Sequence, residues 1–422
     1  MVSVCDAIMG SGKSSACINY MNQHPKKRYL YITPYLTEAE RIKDGCPNLH
    51  FYEPSRKNSD THFNKTDDAA AAMKRGRNIT STHEAFSYYT PEMIEVIREQ
   101  HYTLMIDESV NVLQQETADP GNIEVLVEGG YIETDGTKYS RTTKEFPGTF
   151  CQDFMRQLKS REFYHVDGDQ YKYDYFFWVL SVEFLLAFDD VIIMTYLFHG
   201  HDMYFLMKIS GIDFKYIGVT QDEDGYHFCD EPIWVPAYTR TLKDKIHICQ
   251  VDKLNEVGKE REALSMNWFS KANNREELRK KLRNYFEYHM KWMPSEERLF
   301  GTYKNRIECL ARKGYTDCGI VFNSRATNEY ANKHVLAYMA NIFYDGGRKK
   351  FFSERGIKVN EDLYALSTMV QWIWRSAIRK GEDIWIYIPS RRMMELLQGW
   401  LDGLASGSEA HVSGVAEEVC AG

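Results

Sequence analysis

Val2-Ser3-Val4-Cys5-Asp6-Ala7-Ile8-Met9-Gly10-Ser11-Gly12-Lys13-Ser14 decides how the rest of the chain is read. Val2 to Ala7 is short and mostly apolar, as a buried strand is. Gly10 and Gly12 then allow a tight turn, and residues 14–22 have helical character. A strand, a glycine-rich turn and a helix in that order build a cradle for phosphate. Successive N–H groups turn inward and the helix adds its positive end. The candidate binding residues are therefore Gly10, Ser11, Gly12, Lys13, Ser14 and Ser15.

Working outward, strands and helices alternate. Residues 28–33 read as a strand halted by Pro34, followed by a helix over 37–43. A short strand at 78–81, a helix at 91–100 and a strand at 101–107 come next. That rhythm predicts a doubly wound parallel sheet. It breaks between about 115 and 180, where Asp135-Gly136 marks one hairpin and Asp167-Gly168 a second, so this stretch is read as an insertion. The pattern resumes at 191–195 and 214–219. Residues 236–285 are charge-rich and read as a helical connector. A smaller α/β unit follows, with strands at 289–293, 319–322 and 383–389 and helices at 295–313, 333–344 and 363–379. The expected domains are 1–235, 286–400 and a flexible tail at 401–422, with the connector between the first two.

The chain has 422 residues, which at roughly 150 per domain means two or three. Sixty acidic residues against 52 basic ones give a formal charge of −8, which excludes a globally basic nucleic-acid coat. A hydrophobic share of 43% excludes wholesale disorder. No apolar run approaches the ~20 residues of a membrane span, and the longest, 175–188, contains Glu183. The phosphate-type loop begins within ten residues of Met1, where a signal peptide would lie. Nine cysteines form no CxxC pair and read as reduced thiols. A cytoplasmic chain is expected.

Residues 102–107 end in Asp107-Glu108. At the carboxyl end of a parallel strand, Asp107 would sit beside the loop and hold Mg²⁺. Glu108 would orient or deprotonate a water. Lys13 would reach β and γ phosphates, and the Ser14 hydroxyl would ligate Mg²⁺. With AxxGxGKS from Ala7 and DExx from Asp107, the chain resembles superfamily 2 helicases and translocases. Thr33-Pro34 is similar to motif Ia, Thr82-His83 to motif Ib, and Gln371 to Arg379 to motif VI. Thr195-Tyr196-Leu197 takes the place of motif III but lacks its Ala-Thr. Motif VI spaces Arg375 and Arg379 by four, where three is usual, and motif V is loose around Arg325 to Asn328. Segments 323–328 and 371–379 are most similar to a bacteriophage-encoded DEAD/DEAH-like branch.

The resemblance implies two RecA-like parallel-sheet domains in tandem, the first carrying the hairpin-containing insertion, with ATP and Mg²⁺ as cofactors. Glu108, Gln371, Arg375 and Arg379 would be catalytic, and Ser14 and Asp107 metal-binding. Thr33, Pro34, Thr82, His83, Arg325 and Thr327 would contact nucleic acid. Spacing of i, i+4, i+8 would put Gln371, Arg375 and Arg379 on one helical face. The implied function is an ATP-dependent helicase or translocase in phage DNA replication, recombination or repair, in the host cell cytoplasm. DNA is favoured over RNA, a monomer is expected, no membrane is involved, and the insertion is a candidate surface for a protein partner. The alternatives are a DNA-packaging motor, for which residues 240–400 hold no convincing nuclease cluster, and a regulator without unwinding activity. A small-molecule kinase would need neither the second unit nor the late arginines. The basic run Arg275, Arg279, Lys280, Lys281, Arg283 is read as a solvated face, with phosphate contact the alternative, and Gly346 to Lys350 is equally ambiguous. Trp372 and Trp374 are read as core, His199-Gly200-His201 as a loop, and the aromatic stretch 163–178 as core or lid.

Overall fold

The structure is a computed structural model of the chain. It describes residues 1–55, 65–87, 89, 91–116, 118–148, 150–158, 161–167, 175–230, 236–311, 315–323 and 328–406. Contacts divide it into two units. The first comprises Met1–Asp6, Gly12–Pro232 and Asp345–Val359; the second comprises Ala7–Ser11, Ile233–Tyr344 and Asn360–Gly422. No helix among the described residues is long and apolar enough to cross a membrane.

In the first unit the chain lays down β1 (Val2–Asp6), β2 (Arg28–Thr33), β3 (Ile79–Thr82) and β4 (Tyr102–Asp107). Next come β5 (Leu113–Glu116), β6 (Ile132–Thr134), β7 (Lys138–Arg141), β8 (Arg161–Val166) and β9 (Tyr175–Leu180). It then adds β10 (Asp190–Thr195), β11 (Phe214–Tyr216) and the hairpin of β12 (Gly218–Asp222) and β13 (Gly225–Cys229). A parallel sheet has the order β11-β1-β10-β4-β2-β3. Its central strands are buried on both faces, which is why they read as unbroken apolar runs. The register pairs Asp6 with Thr195, Met194 with Asp107 and Thr33 with Thr82. One carboxyl edge thus gathers the ends of β1, β10, β4, β2 and β3, where ligands of such sheets bind.

The insertion is an antiparallel sheet, β5-β9-β8-β7-β6, in which β6 with β7 and β8 with β9 are the two expected hairpin pairs, Gly168 of the second turn lying outside the described residues. Phe163, Phe176 and Trp178 lie in its core with Leu126 and Met155, so these aromatics of the stretch are core; residues 168–174 lie outside the described residues. The helix Gly346–Ser353 belongs to this first unit. Phe351 meets Tyr164 and Phe177 edge-on, Phe352 lies against Phe205, and both are buried. Arg348 pairs with Asp202 at 2.7 Å, and Lys350 donates to the Asp167 carbonyl. The second basic run is therefore spent on folding. Phe352→Ala is expected to destabilise the first unit by ~3–5 kcal/mol, the usual cost of emptying a buried phenylalanine site. Urea unfolding followed by tryptophan fluorescence checks this, and an unchanged midpoint would contradict it.

The second unit has β14 (Ile246–Ile248), β15 (Arg298–Thr302), β16 (Gly319–Val321), β17 (Val335–Tyr338) and β18 (Ile384–Tyr387). They pair in parallel in the order β14-β18-β17-β15-β16. The fold class expected from sequence is thus present: two parallel-sheet α/β domains, the first with a β insertion. Details differ. Residues 236–285 are no connector, because they supply β14 and the helix Ala272–Asn284, whose Leu278 and Leu282 enter the core. Residues 289–293 form no strand, and β15 interrupts the helix expected over 295–313. Residues 335–338 are strand where a helix is expected over 333–344; a strand buried on both faces shows no alternation to reveal it. The final helix, Arg391–Ser406, runs past the expected start of the tail, and residues 407–422 lie outside the described residues.

Candidate functional site

Asp6, the last residue of β1, is buried. Its carboxylate accepts the N–H groups of Leu197 (2.7 Å) and Phe198 (3.0 Å). These bonds hold the turn after β10, where Leu197 takes a left-handed φ of 58°. Thr195-Tyr196-Leu197 is thereby fastened to the strand that feeds the loop. His199-Gly200-His201 follows in a short 3₁₀ turn, with His199 against Tyr216.

In the loop, Gly10 has φ 80° and Gly12 φ 90°, the left-handed region that side chains rarely adopt. Space forbids side chains as well. A Cβ on Gly10 would lie 2.7 Å from Trp374, and one on Gly12 would lie 2.2 Å from the Tyr226 ring. Within the second unit, Tyr238 donates its hydroxyl to the Met9 carbonyl. The Ser11 N–H reaches the Ile8 carbonyl at 3.3 Å, whereas its side-chain oxygen is buried without a partner. Helix α1 (Lys13–Gln23) starts directly after the turn.

Lys13 is partly buried, and burial pushes its ammonium pKa down; Cys5, Asp107, Asp6 and Glu108 pull the other way. Asp107 is pushed up to about 7 by burial first, then by the Glu108 and Glu38 carboxylates, with Lys13 opposing. Glu108 sits at φ 62°, and its N–H donates to the Met194 carbonyl at 2.9 Å, so the acidic turn is pinned to β10. Lys13 and the Asp107–Glu108 pair are thus set at one sheet edge. This donor set fits a magnesium-bound polyphosphate. Sequence reasoning missed Asp6, Tyr31 and Glu38 beside Asp107 and Lys13. It also missed Arg41, which bonds both Glu38 and the Ser15 hydroxyl at 3.2 Å. Only their places on β1, β2 and the following helix hinted at them.

A carboxyl with pKa near 7 in the native state and 3.8 in the unfolded chain keeps a proton that unfolding releases between those values. Its contribution to stability therefore falls as pH rises through that window. Asp107→Asn is expected to raise the Tm of metal-free protein at pH 8, with a gain that shrinks toward pH 5. Thermal unfolding at both pH values checks it; a gain that grows on acidification would contradict it.

The other expected site residues divide. Thr33 is buried and its Oγ1 accepts the Tyr35 N–H at 3.4 Å. His83 is buried too, its Nε2–H donating to the Asp107 carbonyl at 2.9 Å, so it supports the acidic turn. Thr82 caps the short helix His83–Phe86, and Pro34 is half-buried. Arg325 and Thr327 lie outside the described residues. Gln371 lies in the last turn of the helix Glu361–Ile373, which ends at Ile373, and donates to Ser367 at 3.3 Å. The helix stops there, which corrects the expected continuation to Arg379. Ser376 is extended, its hydroxyl donates to the Ile373 carbonyl at 2.7 Å, and the Ala377 N–H turns to Lys333. Gln371, Arg375 and Arg379 consequently share no helical face. Trp372 is core, lying over Gly301, while Trp374 is only half-buried. In the basic run, Arg275 holds the Phe269 and Ser270 carbonyls, Arg279 pairs with Glu276, and Arg283 pairs with Glu287.

Residues 240–401 match the model of the YonV C-terminal Rossmann-like domain. The whole chain is 34% identical over 413 residues to the SPbeta prophage-derived uncharacterized protein YonV of Bacillus subtilis (strain 168). The alignment covers 95% of this chain and 98% of that protein. The chain belongs to the YonV family. Among solved structures, this YonV-family chain is similar to S. tokodaii Xpd4 (12% identity, 94% and 93% of the two chains, TM-score 0.49). It is also similar to an XPD apo structure (12%, 94% and 95%, TM-score 0.43). The third is the DUF1998 helicase MrfA bound to DNA and AMPPNP (12%, 96% and 48%, TM-score 0.33).

Proposed function

We propose that this chain is an ATP-dependent helicase or translocase acting on nucleic acid, DNA rather than RNA, in phage DNA replication, recombination or repair. The observation that carries the reading is Lys13 grouped with Asp107 and Glu108 where a glycine-constrained loop enters α1. Lys13 neutralises charge on the β and γ phosphates. Ser14 and Asp107 would hold Mg²⁺, which when bound supplies charge neutralisation at the transferring phosphate. Glu108 orients the attacking water and takes its proton. Arg375 and Arg379 are proposed to stabilise the transition state. Backbone contacts would make nucleic-acid binding salt-dependent and indifferent to sequence. The protein would act as a monomer in the host cell cytoplasm, with the insertion sheet open to a protein partner. The motif resemblance and membership of a family with a prophage-derived relative support this reading.

The test is steady-state phosphate release with ATP and Mg²⁺, with and without single-stranded DNA or RNA. Stimulation by nucleic acid is expected. Absence of turnover under every condition would overturn the proposal in favour of a non-hydrolysing regulator.

A further inference from the structure

The hairpin of β12 and β13 lies along α1. Asn19 of α1 donates its amide to the Tyr226 carbonyl at 3.2 Å and to His227 Nδ1 at 3.1 Å. His227 in turn bonds Asp222 at 2.9 Å, and Phe228 meets Tyr20 edge-on. These ties fix the hairpin and bring the Tyr226 ring against Gly12, the residue before Lys13. Tyr226 is half-buried. Apart from its phenol hydroxyl, the ring offers a phosphate no donor. Its chemistry is stacking on a flat partner. A triphosphate gripped by Lys13 at its β and γ phosphates carries a nucleoside only one phosphate further on.

We propose that Tyr226 is the wall on which the nucleoside of a bound triphosphate stacks, so that the chain accepts purine and pyrimidine nucleotides alike. This rests on the nucleotide reading above. Stacking reads a π-face that every base has, and the Asn19 amide is committed to the Tyr226 carbonyl and His227.

The test measures equilibrium binding of ATP, GTP, CTP and inorganic tripolyphosphate, each with Mg²⁺, to the full chain and its Tyr226→Ala, Tyr226→Phe and Lys13→Ala variants. The wild type is expected to bind the three nucleotides with similar affinity. Tyr226→Ala should weaken each roughly tenfold, the size of a lost base–aromatic stack, and leave tripolyphosphate unchanged. Tyr226→Phe should bind as the wild type does. An equal loss for tripolyphosphate would make Tyr226 a prop for the loop and overturn the proposal, as would no loss at all or a strong preference for one base. If wild type and Lys13→Ala bind every probe equally poorly, the nucleotide reading itself falls and takes this proposal with it.

Discussion

Lys13→Ala is expected to lower ATP turnover by ~10²–10³-fold or more, the range seen when one preorganised donor to developing charge is removed. The physical case starts from burial. An ammonium group partly withdrawn from water is costly, and that cost shows in the lowered pKa of Lys13. The fold tolerates it because Asp107, Asp6 and Glu108 surround the group. Those carboxylates also explain why the loss should be functional rather than structural. Asp107 already sits near pH 7 in its titration, so without Lys13 it can take up a proton and relieve the missing charge. Circular dichroism and the Tm at pH 7 should therefore change little while phosphate release collapses. Wild-type turnover in a folded Lys13→Ala protein would sink the loop assignment.

What could be read from the sequence follows from the kind of interaction involved. The loop and the sheet around it were legible because β1 and β4 are short apolar strands bounded by glycine turns or paired acids, all local signals. The second unit was harder. Residues 335–340 are buried at every position and so carry no period of two or of 3.6. β14 is three residues long inside a charged stretch and becomes a strand only by pairing with β18. The end of the helix Glu361–Ile373 goes with the Ala377 N–H turning to Lys333, which no spacing rule foresees. The carboxylate of Asp6 holding Leu197, and Tyr226 covering Gly12, join residues about 190 and 210 positions apart; only tertiary folding brings such pairs together. The helix Gly346–Ser353 reads as an ambiguous basic run, because its partners lie far back in the chain: Asp202 is 146 residues before Arg348, and the aromatic rings of β8 and β9 lie in the insertion.

Arg379→Ala is expected to cut turnover by ~10³-fold and leave ATP affinity nearly unchanged, the signature of an arginine that acts on the transition state alone. The loss of a common helical face changes how the two arginines of this segment should be weighed. Arg375 follows the last helical turn and is half-buried, whereas Arg379 is exposed on the 3₁₀ turn Ala377–Lys380. That turn is held rigidly: the buried Ser376 hydroxyl bonds the helix end, the Ala377 N–H bonds Lys333, and Gly381 closes it at φ 75°. A side chain that must meet a phosphate from solvent needs an exposed head on a fixed backbone, and Arg379 meets both conditions. Arg379→Lys should recover little, since a point charge lacks the guanidinium fork. Arg375→Ala should instead change stability and turnover together, because a half-buried guanidinium at a helix end contributes to packing as well as charge. Steady-state ATPase and nucleotide titrations on the three variants decide between the arginines. Equal, small losses at both positions would mean that neither stabilises the transition state, and the motif VI likeness would then describe only a helix that ends early.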